Sequence, residues 1–524
     1  MGINSFPILY MKNIYLIILL LISCNTISAQ KHDYIWVGGE QNYLSDTTRG
    51  GMVIDFKQSP PLTFRKRREL ELFISTSCIS DTLGHLQVYT NGCDIASGID
   101  DEIMINGNDI NPGYVNEFQC HSSSGIGSYP GGLQSSLFLP LPESSHIYYL
   151  FHKHIKYVYQ PSFEVITDVL YYSTVNMLLN NGKGEVVEKN VPVMNDSLTG
   201  GLMTAVKHAN GRDWWIISGR RRKDEIYTFL FTKDGIQDTL FQTIGSGSIP
   251  VSEGSAQIVF SPNGSQLAIC NPKTGINLFD FDRTTGQLSN FRQYPVDFLS
   301  ITPDVMGCAF SPNGRFLYVT TIKEIFQYDL SSSDIPGTRV LLDTWDGFSD
   351  PLPATFLTCQ LAPDCKIYVQ TGQQARWLHV IHNPNLLGTD CSFQQRGFKL
   401  ATPNRISIPF FPNFRLGPLD NPGLPCTSVV GSGEAPAHPL FPDFSVFPNP
   451  VRDILTIVPN RVPGGKLRLA LVATDGRVAQ EYNIGEGNET QWLPVGQLQP
   501  GMYAYIIRNE MGGVVQSGRV VVVE

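Results

Sequence analysis

Ile258-Val259-Phe260-Ser261-Pro262-Asn263-Gly264-Ser265-Gln266-Leu267-Ala268-Ile269 is an apolar run, a tight corner and a second apolar run. The phrase returns as Cys308-Ala309-Phe310-Ser311-Pro312-Asn313-Gly314-Arg315-Phe316-Leu317-Tyr318-Val319, and more loosely as Cys359-Gln360-Leu361-Ala362-Pro363-Asp364-Cys365-Lys366-Ile367-Tyr368-Val369. Proline pre-sets φ for the first turn position, and Asn-Gly tolerates φ > 0, so each copy reads as a hairpin. Phe260 and Phe310 stand 50 residues apart, and Phe310 and Leu361 stand 51 apart. A period near 50 in an all-strand pattern predicts a β-propeller, with four-stranded blades ranged round a channel.

Working outward, further hairpins are expected at Ile79–Thr90, at Leu137–Leu139 with Ile147–Phe151, and at Thr204–Val206 with Trp214–Ile217 around Asn210-Gly211. With the three copies these make six units. Strands near 34–56 and 393–415 are left over, and joined as one composite blade they would close the ring without exposed edges. The expectation is an all-β chain with about seven blades, six or eight being the alternatives. Charged residues make up 16% of the 524, aromatics 11%, with 48 Gly and 35 Pro, a composition that suits strands and turns and speaks against disorder. A net charge of −9 without a basic stripe argues against nucleic acid as a partner.

The N-terminus reads as a signal peptide over residues 1–29: Lys12, an apolar run from Ile14 to Ile22, and small residues Ile27-Ser28-Ala29 before Gln30. That run is too short to span a bilayer, so no transmembrane helix is expected in the mature chain. Leu21-Ile22-Ser23-Cys24 is a rival lipoprotein site. Of ten cysteines, nine remain after cleavage, and the preferred pairs are Cys359 with Cys365 and Cys391 with Cys426. Cys270 and Cys308 are expected to be buried thiols. The propeller is placed at 30–415, a Pro/Gly-rich linker at 416–443, and a small Ig-like β-sandwich at 444–524.

Within that last segment, Val446-Phe447-Pro448-Asn449-Pro450, the mid-domain Asp475-Gly476-Arg477, the Leu498-x-Pro500-Gly501-x-Tyr503 turn and a terminal valine strand follow in order. Residues 444–524 thereby resemble the type A C-terminal sorting domain of the type IX secretion system, with Gly518-Arg519 where a lysine pair is more usual. The resemblance implies that Pro448, Asn449, Pro450, Asp475, Gly476, Gly501 and Tyr503 form the sorting motif. It also implies contact with the type IX machinery and a secreted or outer-surface location in a Gram-negative bacterium. Residues 34–426 resemble exported proteins with WD40-like or YVTN-like propellers, through Asp81-x-x-Gly84-x-Leu86-x-Val88-Tyr89-Thr90-Asn91-Gly92, Lys207–Trp215 and the Ser-Pro-Asn-Gly repeats. That resemblance carries architecture and no reaction.

Residues for chemistry are sparse. No Gly-x-Ser-x-Gly, His-Glu-x-x-His, Walker loop or Cys-x-x-Cys occurs, so no catalytic residue, metal or cofactor is assigned. His152 with His154, Asp280 with Asp282, and Asp100-Asp101-Glu102 are pairs or runs that packing or solvation explains more simply than metal binding. The basic cluster Arg220-Arg221-Arg222-Lys223 reads as a solvated loop, with an anion-binding rim as the sharper alternative. His208, Asp213 and Trp214 crowd one hairpin and are the candidate ligand contacts, one of Trp214 and Trp215 being available for carbohydrate stacking. The favoured reading is a secreted or surface-attached propeller that binds an extracellular glycan, polymer or protein. The alternative is an extracellular hydrolase or lyase with its site in the channel.

Overall fold

The computed structural model describes residues 30–40, 49–245, 255–296, 305–372, 374–423, 426, 444–447, 450–459, 467–473, 477–484, 490–509 and 514–523. The signal-peptide segment and Pro448, Asn449, Asp475 and Gly476 lie outside them. The chain divides into two compact units, Met1–Ser428 and Val429–Glu524.

The first unit is a propeller of antiparallel blades. Blade 1 is Ile35–Gly39, Gly51–Asp55 and Leu62–Arg65, and blade 2 is Ser77–Ser80, Leu86–Thr90 and Ile95–Ser97. Blade 3 is Ser136–Pro140, Ile147–Val158 and Glu164–Asn176, completed by the first part of the long strand Glu185–Lys207. That strand bends between Leu198 and Met203, where Gly201 and Leu202 have φ of 81° and 50°, and its second part opens blade 4. Blade 4 continues through Trp214–Arg220, Glu225–Thr232 and Gly235–Thr243. Blade 5 (Gln257–Phe260 to Gln287–Tyr294), blade 6 (Gly307–Phe310 to Val340–Thr344) and blade 7 (Cys359–Leu361 to Phe393–Asn404) have four strands each. Burial falls outward through a blade. Gly307–Phe310 is wholly buried at the axis, whereas Gly235–Thr243 at the rim is largely exposed.

The repeated phrase forms the corner between the first and second strands. Gly264 N donates to Ser261 O at 2.8 Å, and Ser261 N donates to Gln266 O at 2.9 Å. Gly264 and Gly314 take φ of 74° and 72°, as the turn requires. Asn263 works through its side chain instead, its Oδ1 accepting from Ser265 N at 3.1 Å. In the third copy Cys365 takes the left-handed position, with φ of 64°.

The ring closes differently from the expected composite blade. Ile35–Gly39 and Gly51–Asp55 pair with each other and with Leu62–Arg65, and Phe393–Asn404 pairs with Ala375–Ile381. Closure is by packing: Trp36, Met52 and Phe56 of blade 1 share a core with Tyr368, Leu378 and Phe398 of blade 7. Gly39 N donates to Ser407 Oγ at 3.0 Å and Ala401 N to Thr63 Oγ1 at 3.3 Å, so isolated hydrogen bonds accompany the packing without a shared ladder.

The expected disulfides are also corrected. Cys365 is bonded to Cys426 and Cys93 to Cys120, while Cys359 and Cys391 are buried thiols. The hairpin ladder sets Cys359 opposite Val369, which leaves Cys365 alone at the corner, facing the returning chain. Cys270 and Cys308 are buried thiols as expected.

The second unit has two antiparallel sheets. One contains Phe444–Phe447, Ile454–Pro459 and Gln491–Pro494; the other orders Val478–Ile484, Leu467–Ala473, Gly501–Asn509 and Val514–Val522. Leu455, Ile457 and Leu493 of the first meet Leu469, Leu471, Ile507 and Val520 of the second in one core, which makes a small sandwich. Gly501 begins a strand, and Tyr503 fixes the preceding turn by donating its hydroxyl to Gln499 O at 2.8 Å.

Candidate functional site

The inner strands of a propeller expose unpaired backbone at the axis, and here glutamine carboxamides satisfy part of it. Gln257, fully buried, accepts from Cys308 N and Cys359 N at 3.0 Å each and donates to Cys359 O at 2.6 Å. Gln134 donates to Ile258 O at 2.8 Å and accepts from Ile258 N at 2.9 Å. Gln360 accepts from Phe411 N at 3.2 Å.

Phe411 belongs to a strap, residues 406–417, that crosses the channel after blade 7. Ile408 packs into the core shared by blades 1 and 7, Phe414 lies 5.6 Å from the ring of Trp214, and Leu416 joins the core between blades 4 and 5. Arg415 forms a doubly hydrogen-bonded pair with Asp33, and Asn413 donates to Pro262 O at 2.8 Å. The strap leaves a cavity of about 80 Å³, lined by polar Gln134, Ser136, Thr204 and Asn413 among others, with Asp33 as the one carboxylate among the described residues that line it. That is room for a few water molecules. Beyond the strap, Leu419 N donates to Ala209 O at 3.1 Å, and Cys426 ties the chain to blade 7.

The hairpin of the candidate ligand contacts is built into this framework. Trp214 is fully buried, with Phe414 against it and the Lys207 ammonium 4.1 Å from its ring centre, so neither face is open to a sugar. Trp215 is buried as well, its indole N–H donating to Arg283 O at 2.8 Å. Asp213 accepts from Asn210 Nδ2 at 2.7 Å and from Arg212 Nε at 3.0 Å. Burial pushes the Asp213 carboxyl up, but those hydrogen bonds outweigh it and hold it below the usual carboxylate range. His208 is partly exposed and lies 3.2 Å from Thr284 O through Nε2. The buried Arg283 guanidinium donates to the carbonyls of Lys207 at 2.8 Å, His208 at 3.0 Å and Gly417 at 2.6 Å, stitching blade 4, blade 5 and the strap together.

The other pairs are engaged too. His152 is fully buried between Asn111 Oδ1 at 2.7 Å and Ser173 Oγ at 3.0 Å, and His154 pairs with Asp168 at 2.6 Å. Asp280 binds Arg292, Asp282 holds its own turn through Thr284 N, and Asp100 and Asp101 are paired with Lys183 and Arg68. Arg220 pairs with Asp196 and Glu225, and Arg221 and Arg222 with Glu164. Among the described residues no group of three or more His, Cys, Asp or Glu is placed to hold a metal ion. No described helix is long and apolar enough to cross a membrane. The strap escaped sequence reasoning; its one signal was Phe410-Phe411-Pro412-Asn413-Phe414, an aromatic cluster without strand alternation.

Several solved structures are similar to this chain at low identity. A protein from Lactobacillus plantarum is 12% identical, with a TM-score of 0.39, covering 71% of this chain and 97% of its own. The Swd1 β-propeller domain of Myceliophteria thermophila is 12% identical, with a TM-score of 0.33, covering 66% and 95%. A gluconolactonase from Xanthomonas campestris is 9% identical, with a TM-score of 0.28, covering 64% and 92%. No curated protein matches the chain in sequence. Residues 445–522 match the secretion system C-terminal sorting domain. The chain is thus a β-propeller followed by a type IX sorting domain, which marks it as a secreted or cell-surface protein.

Proposed function

We propose that the protein is an extracellular binding protein whose propeller is a rigid scaffold presenting surface loops to a glycan, polymer or protein. The observation that carries this reading is the strap across the channel. Among the described residues it leaves about 80 Å³ and a single lining carboxylate, Asp33, already engaged by Arg415. The hydrolase alternative would need room for a substrate and, for glycoside hydrolysis, two carboxyl groups about 5–10 Å apart across it. The extensive pairing of charged groups elsewhere on the propeller favours a scaffold in the same way.

The test is to incubate the purified secreted protein with a panel of extracellular polysaccharides and proteins, measuring retention and product release together. Retention without new reducing ends, unsaturated sugars or peptide fragments is expected. Catalytic release of product from any of them would overturn the reading.

A further inference from the structure

Blade 3 carries a feature that neither the channel nor the sorting domain uses. The strands Ile147–Val158 and Glu164–Asn176 are much longer than their counterparts in blade 5 and end in a hairpin rich in aromatic residues. At its tip Tyr159 and Phe163 are each 59% exposed, and Tyr114, on the adjoining helical segment, is 58% exposed. The rings form a continuous series. Phe118 stacks on Tyr114 at 5.9 Å with 7° between planes, Tyr114 meets Tyr157 at 6.3 Å, Tyr157 meets Phe163 at 5.4 Å, and Phe163 meets Tyr159 at 5.6 Å. Large rings left this exposed in one contiguous patch mark an interaction surface.

The patch is held in place from below. Val115, Tyr129 and Ile155 form a small buried core beside Cys93, whose disulfide to Cys120 pins the helical segment. Gln119 Nε2 donates to the Tyr157 hydroxyl at 3.0 Å, and His154 Nε2 lies 2.9 Å from Pro112 O. Rings fixed before binding lose little conformational freedom on binding.

We propose that this series is a stacking platform for a neutral polysaccharide, a proposal that rests on the binding-protein reading above. A pyranose ring offers a flat face of polarised C–H bonds, which the electron-rich face of an aromatic ring attracts, and an edge of hydroxyls. The platform supplies both complements. Its rings are separated by steps comparable with one sugar unit, and the Tyr114, Tyr157 and Tyr159 hydroxyls and the Gln119 amide provide polar edges among them. Lys156 is paired with Asp168 and Glu164 with Arg221 and Arg222, and Glu117, exposed on the helical segment between Tyr114 and Phe118, would repel an anionic polymer, which favours an uncharged ligand.

The experiment uses the full secreted protein in native affinity gels containing hydroxyethylcellulose, xyloglucan, galactomannan or a β-glucan. The wild type should be retarded by at least one of them. The Tyr114→Ala/Tyr159→Ala/Phe163→Ala variant should lose at least about tenfold in affinity with an unchanged melting temperature. Each single alanine variant is run alongside, and any properly folded one should weaken binding, while Tyr114→Phe/Tyr159→Phe should retain most of it. Equal binding by the wild type and the alanine variants would overturn the platform and leave the binding reading standing. Binding only to anionic polysaccharides, or ring-dependent self-association without glycan binding, would overturn the ligand class. Cleavage of the polysaccharide would overturn the binding reading itself.

Discussion

Arg415 grips Asp33 through two parallel hydrogen bonds, 2.6 Å from Nη1 to Oδ1 and 2.7 Å from Nη2 to Oδ2, with both side chains almost fully buried. The pair joins the chain just before blade 1 to the strap that follows blade 7. Asp33→Asn keeps the shape but removes the charge, leaving a buried guanidinium without its carboxylate. Breaking such a pair costs about 3–5 kcal/mol. Urea unfolding of the full chain should show a loss of that size in its propeller transition, and Asp33→Asn/Arg415→Met should recover part of it.

The two Ser-Pro-Asn-Gly corners should respond differently to the same change. A β-carbon on Gly264 would lie 2.7 Å from Val206 Cγ2 and 2.8 Å from Arg283 Cδ, whereas on Gly314 its nearest neighbour is Pro262 Cδ at 4.0 Å. Gly314→Ala should therefore cost about 1 kcal/mol, from the left-handed backbone alone. Gly264→Ala should cost clearly more, because Arg283 must move as well. Asn263→Asp should be close to neutral, since the acceptor for Ser265 N survives. Thermal melts of the three variants decide the order.

Cys365 holds a left-handed position that glycine holds in the two earlier copies, and its disulfide to Cys426 closes a span of 61 residues. Cys365→Ser/Cys426→Ser should lower stability by about 2–4 kcal/mol. Cys365→Gly/Cys426→Ser should be less damaging by about 1 kcal/mol, because glycine accepts the turn without strain. Denaturant curves without reductant separate the two. Equal losses would show that the backbone at this corner relaxes when the bond is gone.

Stability should rise with pH from about 4 to about 9. Burial lowers His32 and His379 to about 4 and His152 to about 3, so the folded protein keeps them neutral. The unfolded chain binds those protons near pH 6.5, so their contribution is present above that value and lost as pH falls towards 4, at about 1.4 kcal/mol per pH unit for each. Burial also lowers Lys153 and Lys207 to about 7 from 10.5, which extends the same slope from pH 7 to about 9; above that the thiols of Cys78, Cys308 and Cys359, raised by burial, stay protonated in the fold while unfolded thiols ionise, and stability falls. Lys153→Met should flatten the rising alkaline limb. Urea midpoints across the range measure both limbs.

The sequence by itself determined the strand-and-turn content, the blade repeat, the sorting domain and the left-handed glycines, because each rests on local physics. Alternation fits a pleated strand, Pro-Asn-Gly fits one kind of corner, and the period of about fifty residues follows from stacking one hairpin unit on the next. Which surface is open was a tertiary matter. Adjacent strand residues face opposite ways, so one of Trp214 and Trp215 is expected to be open, and only the strap and the neighbouring blade show that both sides are covered. Arg415 and Asp33, like Cys365 and Cys426, are far apart in the chain, and no spacing rule brings them together. Tyr114 and Tyr159 lie on separate segments whose approach depends on a buried cluster and a disulfide. The hairpin was written in neighbouring residues; the strap across the channel and the exposed rings came from packing between segments, which local pattern does not encode.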